Sequence, residues 1–123
     1  MKLLNDFYIT LESQKTEDGI SVWVKINKDH SIFKGHFPNH PVTPGVCTIQ
    51  IIKELSEKHF GKEFMLKTAR NVKFMAIINP EENDEARFDL SFEMVENGEI
   101  SVKATVMMNE NPALKFGGNF IEI

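Results

Sequence analysis

Ser31-Ile32-Phe33-Lys34-Gly35-His36-Phe37-Pro38-Asn39-His40-Pro41-Val42-Thr43-Pro44-Gly45-Val46 divides the chain into two kinds of sequence. Pro38, Pro41 and Pro44 forbid regular structure through it, because each proline fixes its own φ and biases the residue before it toward extended backbone. The loop therefore runs from about Asp29 to Thr43. Pro44 suits the first position of a helix, with Thr43 as its side-chain cap. Beyond it, Cys47, Thr48, Ile51, Ile52, Leu55 and His59 recur on one broad face at helical spacing, and Lys53, Glu54, Glu57 and Lys58 on the other. Gln50 falls on the polar side. Gly61 is placed to end the helix after Phe60.

On both sides of this segment the apolar period changes to two, the period of a half-buried strand. Before it, Phe7, Ile9 and Leu11 share one face, and Ile20, Val22, Val24 and Ile26 share another. Glu17-Asp18-Gly19 between them is turn chemistry, so a hairpin is predicted. After the helix, Val72, Phe74, Ala76 and Ile78 alternate up to Asn79-Pro80. Ala86, Phe88, Leu90, Phe92 and Met94 follow. Asn97-Gly98 is a two-residue hairpin signal. Ile100, Val102, Ala104, Val106 and Met108 come next, Asn111-Pro112 reads as a turn, and a last strand runs from Leu114 to Ile123. The predicted order is two strands, one long helix, then four strands. An antiparallel sheet with one apolar face has to cover it, and this helix is the available cover. The fold class is α+β, an antiparallel sheet wrapped around one long central helix, in a single domain over residues 1–123. Such a sheet has an open edge, and edges tend to be paired, so a dimer is expected.

The bulk numbers agree with that reading and exclude other classes. A hydrophobic fraction of 41% and a charged fraction of 26% are those of an ordinary globular domain. A net charge of −4 gives no field that favours nucleic acid. No apolar run reaches the roughly 18 residues of a membrane span. The first residues lack the apolar core of a signal peptide, so a cytoplasmic location is expected. Cys47 is the only cysteine, which excludes a disulfide framework and a Cys-rich metal site. His36 and His40 are four apart, but Pro38 between them excludes the helical spacing of a zinc pair, so no metal is expected.

The quoted loop resembles the signature of the hotdog-fold 3-hydroxyacyl-acyl-carrier-protein dehydratases: Phe-x-Gly-His-Phe-Pro-x-x-Pro-hydrophobic-x-Pro-Gly-Val. A shorter stretch, Ala69-Arg70-Asn71-Val72-Lys73-Phe74-Met75-Ala76-Ile77-Ile78-Asn79-Pro80, resembles that family's strand after the helix, with Glu81-Glu82 in place of the family's Gly-Asp. The resemblance implies the hotdog fold and elimination of water from a 3-hydroxyacyl thioester. The substrate would be carried on the phosphopantetheine of acyl carrier protein or CoA, with no other cofactor. It implies a homodimer or a trimer of dimers. It also implies that His36 removes the α-proton and that the helix start holds the thioester carbonyl. Both roles are physically sound. Imidazole titrates near neutral pH, and free N–H groups at a helix start stabilise enolate charge without reorganisation. Gly45 and Val46 are the candidate amide donors, since Pro44 has none. Phe37 and Phe74 are candidates for the acyl-lining wall.

One departure stands out. The family carries Glu or Asp at the fourteenth position after the His, contributed by the partner subunit. This chain carries Gln50 there. An amide hydrogen-bonds but does not exchange a proton at neutral pH, and general-acid help is typically worth about 10²–10⁴-fold in rate. Glu54, one turn further on, reads as a solvated helix carboxylate. Two alternatives stay open. One is a hotdog thioesterase, with Gln50 orienting water and Glu54 or His36 as base. The other is a non-catalytic acyl-thioester-binding or heterodimer subunit whose partner supplies the acid. Lys34, Lys67, Arg70 and Lys73 are candidates for a basic patch that meets an acidic carrier protein. His30 and His59 read as structural or solvent-facing, and Asn39 and His40 as loop surface.

Overall fold

The computed structural model describes residues 2–34 and 42–123. Its elements follow the predicted order: β1 (Tyr8–Lys15), β2 (Gly19–Ile26), a short 3-10 turn (Ser31–Phe33), α1 (Gly45–Phe60), β3 (Phe64–Phe74), β4 (Glu85–Met94), β5 (Glu99–Met108) and β6 (Asn111–Glu122). The six strands form one antiparallel sheet in the order β1-β2-β4-β5-β6-β3. The chain crosses from the β2 side to the far edge by way of α1, and the meander then fills the middle.

Alternation places the core. Ile20, Val22, Val24 and Ile26 of β2 are buried, as are Ala86, Phe88 and Leu90 of β4 and Ile100, Val102, Ala104 and Val106 of β5. They share one cluster with Cys47, Ile51, Ile52 and Leu55 of α1, so the sheet wraps the helix as expected. Asn97 and Gly98 both adopt positive φ, 62° and 75°, and Glu99 N–H closes the turn on Glu96 O. This is the backbone that Asn-Gly is chosen for. Gly61 ends α1 in the left-handed region at φ 66°, and its N–H donates to Glu57 O at 2.8 Å.

Several boundaries differ from the expectation. The inward residue at the start of β1 is Tyr8, not the Ile9 and Leu11 face, which is 44% and 46% exposed. Phe7 is buried but precedes the strand, where it stacks on Phe33, and a register shift at Thr10/Glu12 displaces Leu11 from regular pairing. β3 starts at Phe64, directly after the helix, and stops at Phe74, so Ala76 and Ile78 lie beyond it. The alternation there is weak because β3 is the sheet edge and most of its positions are exposed, so neither face imposes a strict pattern. The turn before β6 is at Asn109-Glu110, with Asn109 at φ 58°. Asn111 and Pro112 are already in the strand, where Pro112 sits beside a register shift that spares its missing N–H.

Candidate active site

α1 begins at Gly45, with Pro44 as the flanking residue. Thr43 does not cap the helix. No side chain does, and Pro44 O instead accepts from Cys47 N–H at 3.0 Å and Thr48 N–H at 3.3 Å. Thr43 is held by its own backbone, its N–H donating to Ile78 O at 2.9 Å. The consequence is that the amides of Gly45 and Val46 have no acceptor among the described residues. They are orphan donors of the kind that every helix start creates, here without a cap to satisfy them.

Phe74, the last residue of β3, lies directly over this helix start. A Cβ on Gly45 would stand 2.5 Å and 2.6 Å from two ring carbons of Phe74, so the absence of a side chain at Gly45 is what lets the ring close in. Phe74 is nevertheless 62% exposed and Val46 70% exposed, so both stay open to an incoming group. A cavity of about 410 Å³ lies at the helix start, lined by Gly45 and walled largely by apolar side chains such as Phe74, Met75, Ile77 and Leu114. Two of the predicted substrate-contacting residues, Gly45 and Phe74, thus line one cavity, and Val46 is the next residue of the helix without being part of its wall. His36 and Phe37, with Asn39 and His40, lie outside the described residues. The loop that carries them leaves the described chain at Lys34 and re-enters at Val42, on the wall of the same cavity.

Gln50 does not line this cavity, and its amide Nε2 donates to Glu54 Oε2 at 2.8 Å. Glu54 corrects the sequence reading outright. It is 6% exposed, because the N-terminal segment crosses the helix and covers it. Leu3 N–H donates to Oε2 at 2.7 Å, Leu4 N–H to Oε1 at 2.8 Å, and the Tyr8 hydroxyl to Oε1 at 3.1 Å. Burial pushes the Tyr8 phenol well above its ordinary range, and the neighbouring Glu54 adds to the shift, so the hydroxyl stays a donor. A carboxylate with four donors on its two oxygens has no free lone pair aimed at a substrate. Hydrophobic spacing put Glu54 on the polar face and gave no sign that a distant strand of chain would cover that face. The conversion of a polar-face residue into a buried anchor is set by tertiary packing.

The remaining histidines are structural or on the surface. His30 Nδ1 accepts from Ile32 N–H at 3.0 Å, and its Nε2 lies 3.1 Å from Asp6 Oδ2. His59 stacks on Phe92 with ring centroids 5.0 Å apart. No group of three or more His, Cys, Asp or Glu side chains that could hold a metal occurs among the described residues. Cys47 is buried, and desolvation pushes its thiol up. A thiol-reactive probe is therefore expected to label Cys47 only on unfolding. Rapid labelling of the native protein at neutral pH would contradict that.

Of the predicted basic residues, Lys67 is taken up by Glu99, its Nζ donating to Oε1 at 2.6 Å. That bond, together with one from Asn119, holds the Glu99 carboxyl below the usual carboxylate range. Arg70 donates to Asn119 and, at 3.1 Å, to Ser101 Oγ. Lys34 and Lys73 are exposed. A broader depression of about 940 Å³ lies across the sheet, lined by a mixture of polar and apolar residues such as Arg87, Asp89, Lys103 and Trp23. It contains no residue of the Pro-rich motif, so size does not make it the better candidate.

The family model for ApeI dehydratases, of the ApeI-like family, matches residues 12–111. The chain belongs to the ApeI-like dehydratase family. Its relatives include a 3-hydroxyacyl-acyl-carrier-protein dehydratase FabZ of Caldanaerobacter subterraneus subsp. tengcongensis, 25% identical over 118 residues, which are 90% of this chain and 80% of that protein. A FabZ of Lactiplantibacillus plantarum is 34% identical over 70 residues, 51% of this chain and 48% of its own length, so the match spans about half of that relative. Among solved structures, the dehydratase heterocomplex ApeI:P from Xenorhabdus doucetiae superposes with a TM-score of 0.73 at 14% identity, covering 92% of this chain and 96% of that one. At that identity the likeness speaks for the fold, and the fold of this ApeI-like chain is the hotdog. No helix among the described residues is long and apolar enough to cross a membrane.

Proposed function

We propose that this ApeI-like chain is a (3R)-hydroxyacyl-acyl-carrier-protein dehydratase, which eliminates water from a 3-hydroxyacyl thioester to give the trans-2-enoyl thioester. The observation that carries the reading is a helix start with two acceptor-free amides, Gly45 and Val46, of which Gly45 lines an apolar cavity under Phe74. A thioester carbonyl placed there meets two donors as charge builds on its oxygen during α-proton removal. His36, in the loop that re-enters at the same cavity, is the base. The phosphopantetheine of acyl carrier protein or CoA carries the substrate, and no further cofactor takes part. Incubation with 3-hydroxyacyl thioesters of several chain lengths, followed by enoyl formation, tests this. Absence of turnover on both carrier protein and CoA rejects it.

Glu54 drops out as the base of a thioesterase, because its oxygens are engaged by Leu3, Leu4, Tyr8 and Gln50. Gln50 favours one second reading: a subunit that pairs with a different dehydratase chain, which supplies the acid. The ApeI:P relative is named as a heterocomplex, and the exposed β3 edge offers a strand for either a homodimer or a heterodimer. Turnover by the purified chain alone, read beside its mass in solution, separates the two.

Gln50→Glu is expected to raise kcat/KM by roughly 10–100-fold if this position faces the leaving hydroxyl. The new carboxyl would stand next to Glu54, where Gln50 Nε2 now lies 2.8 Å from Oε2. Two carboxyls this close do not both ionise. Glu54 keeps its donors from Leu3, Leu4 and Tyr8, so the shared proton sits on the new group, whose pKa rises. Protonation is what a general acid needs, so the gain should fade as pH climbs through that raised value. The same group stabilises the fold at low pH and withdraws that contribution as pH rises. An unchanged rate at every pH would place position 50 away from the chemistry.

A further inference from the structure

We propose that the Thr43 hydroxyl is a third hydrogen-bond donor to the carbonyl of an acyl thioester bound at the start of α1, alongside the Gly45 and Val46 amides. This rests on the dehydratase reading and deepens it. Thr43 is 7% exposed and forms part of the cavity wall. Its Oγ1 is shielded from solvent and has no hydrogen-bond partner, alone in this respect among the buried side-chain polar atoms of the described residues. Buried polar groups are almost always paired, so an exception calls for a ligand or a function. The residue is not loose. Its N–H is fixed on Ile78 O at 2.9 Å, and Pro44 follows it directly. The obvious local use, capping α1, is not made.

An unpaired hydroxyl on a residue that lines a largely apolar cavity, two residues before the first orphan amide, matches what an uncharged carbonyl acceptor requires. Its strength grows as that oxygen gains charge, and it is undiminished by competing water. Thr43 thus acts on the reacting carbonyl, and the effect of its loss should fall on kcat more than on KM.

Thr43→Val preserves shape and removes the hydroxyl, and Thr43→Ser keeps the hydroxyl and removes the methyl. Kinetics with 3-hydroxyacyl-CoA thioesters and thermal unfolding of the ligand-free protein are measured on both. Thr43→Val should unfold at the same or a higher temperature than the parent, since an unpaired hydroxyl has been replaced by a methyl. It should also lose about 10–100-fold in kcat/KM, mostly in kcat. Thr43→Ser should keep the rate to within about threefold. If the valine variant fails to fold, Thr43→Ala takes its place with the same expected loss. A parent that turns over and a valine variant that matches it overturn the proposal alone. A parent that turns over no thioester overturns it together with the dehydratase reading.

Discussion

Glu54→Ala is expected to cost about 3–5 kcal/mol of folding stability, visible as a fall in Tm of at least about 10 °C. The figure comes from the donors it would strand. Leu3 N–H, Leu4 N–H and the Tyr8 hydroxyl converge on the carboxylate from a segment some fifty residues away in sequence, at 2.7, 2.8 and 3.1 Å. Each buried donor left unpaired costs about 1–3 kcal/mol, and neighbours that share one acceptor do not add fully. Leu3 and Phe7 are buried on either side of these bonds, so the segment does not reach water without giving up apolar contact as well. Tyr8→Phe, which removes one donor and leaves the carboxylate with three, should cost only about 1 kcal/mol. Chemical denaturation of the two variants decides the matter. If Glu54→Ala loses less than Tyr8→Phe, the N-terminal segment is held by its apolar side chains alone and the carboxylate is incidental. The same pair reports on Gln50, whose amide is oriented by Glu54 Oε2. Loss of that orientation should depress activity at temperatures where the variant is still folded.

How far sequence reaches depends on whether an interaction is local. The helix end at Gly61 and the positive-φ turn at Asn97-Gly98 follow from single residues whose backbone preferences are strong, and both came out as expected. The buried faces of β2, β4 and β5 follow from strict alternation, because these strands lie in the interior of the sheet and each presents one face to the helix. Edges obey neither rule. β1 and β3 are the outermost strands. Their apolar residues, Ile9, Leu11, Met65 and Leu66, are partly exposed, and both strands contain register shifts that no period of two describes. At the candidate site, the helix start at Pro44-Gly45 was legible from the Pro-Gly pair itself, and Phe74 reaches it only through the packing of β3. Thr43 was misread as a cap. Thr is a good capping residue in general, but in this chain Pro44 is the residue that flanks the helix and the Thr43 hydroxyl bonds none of the first helical N–H groups. The role of Glu54 depends on a tertiary crossing of the N-terminal segment over α1, for which one sequence carries no local signal.

His36→Ala is expected to lower kcat/KM for a 3-hydroxyacyl thioester by about 10²–10⁴-fold while leaving Tm where it is. The loss follows from the role. The α-carbon proton has to go to a group that is unprotonated near neutral pH yet basic enough to accept it, and an imidazole with an ordinary pKa of about 6.5 meets both demands. The sign of the pH dependence follows. A base works in its neutral form, so the parent's kcat/KM should rise with pH through the imidazole range. In the variant that limb should disappear, leaving a flat and low profile. Thermal unfolding measured beside the kinetics checks that the loss is one of chemistry and not of folding. His40→Ala, four residues along the same stretch, is the matched control and should keep both rate and profile. Added imidazole should restore part of the activity of His36→Ala, because the acceptor-free amides of Gly45 and Val46 still hold the carbonyl and only the base is missing. A variant that keeps its pH limb, or a His40→Ala that loses it instead, would move the base elsewhere in the loop. The role of the helix start as the carbonyl site would then stand on its own.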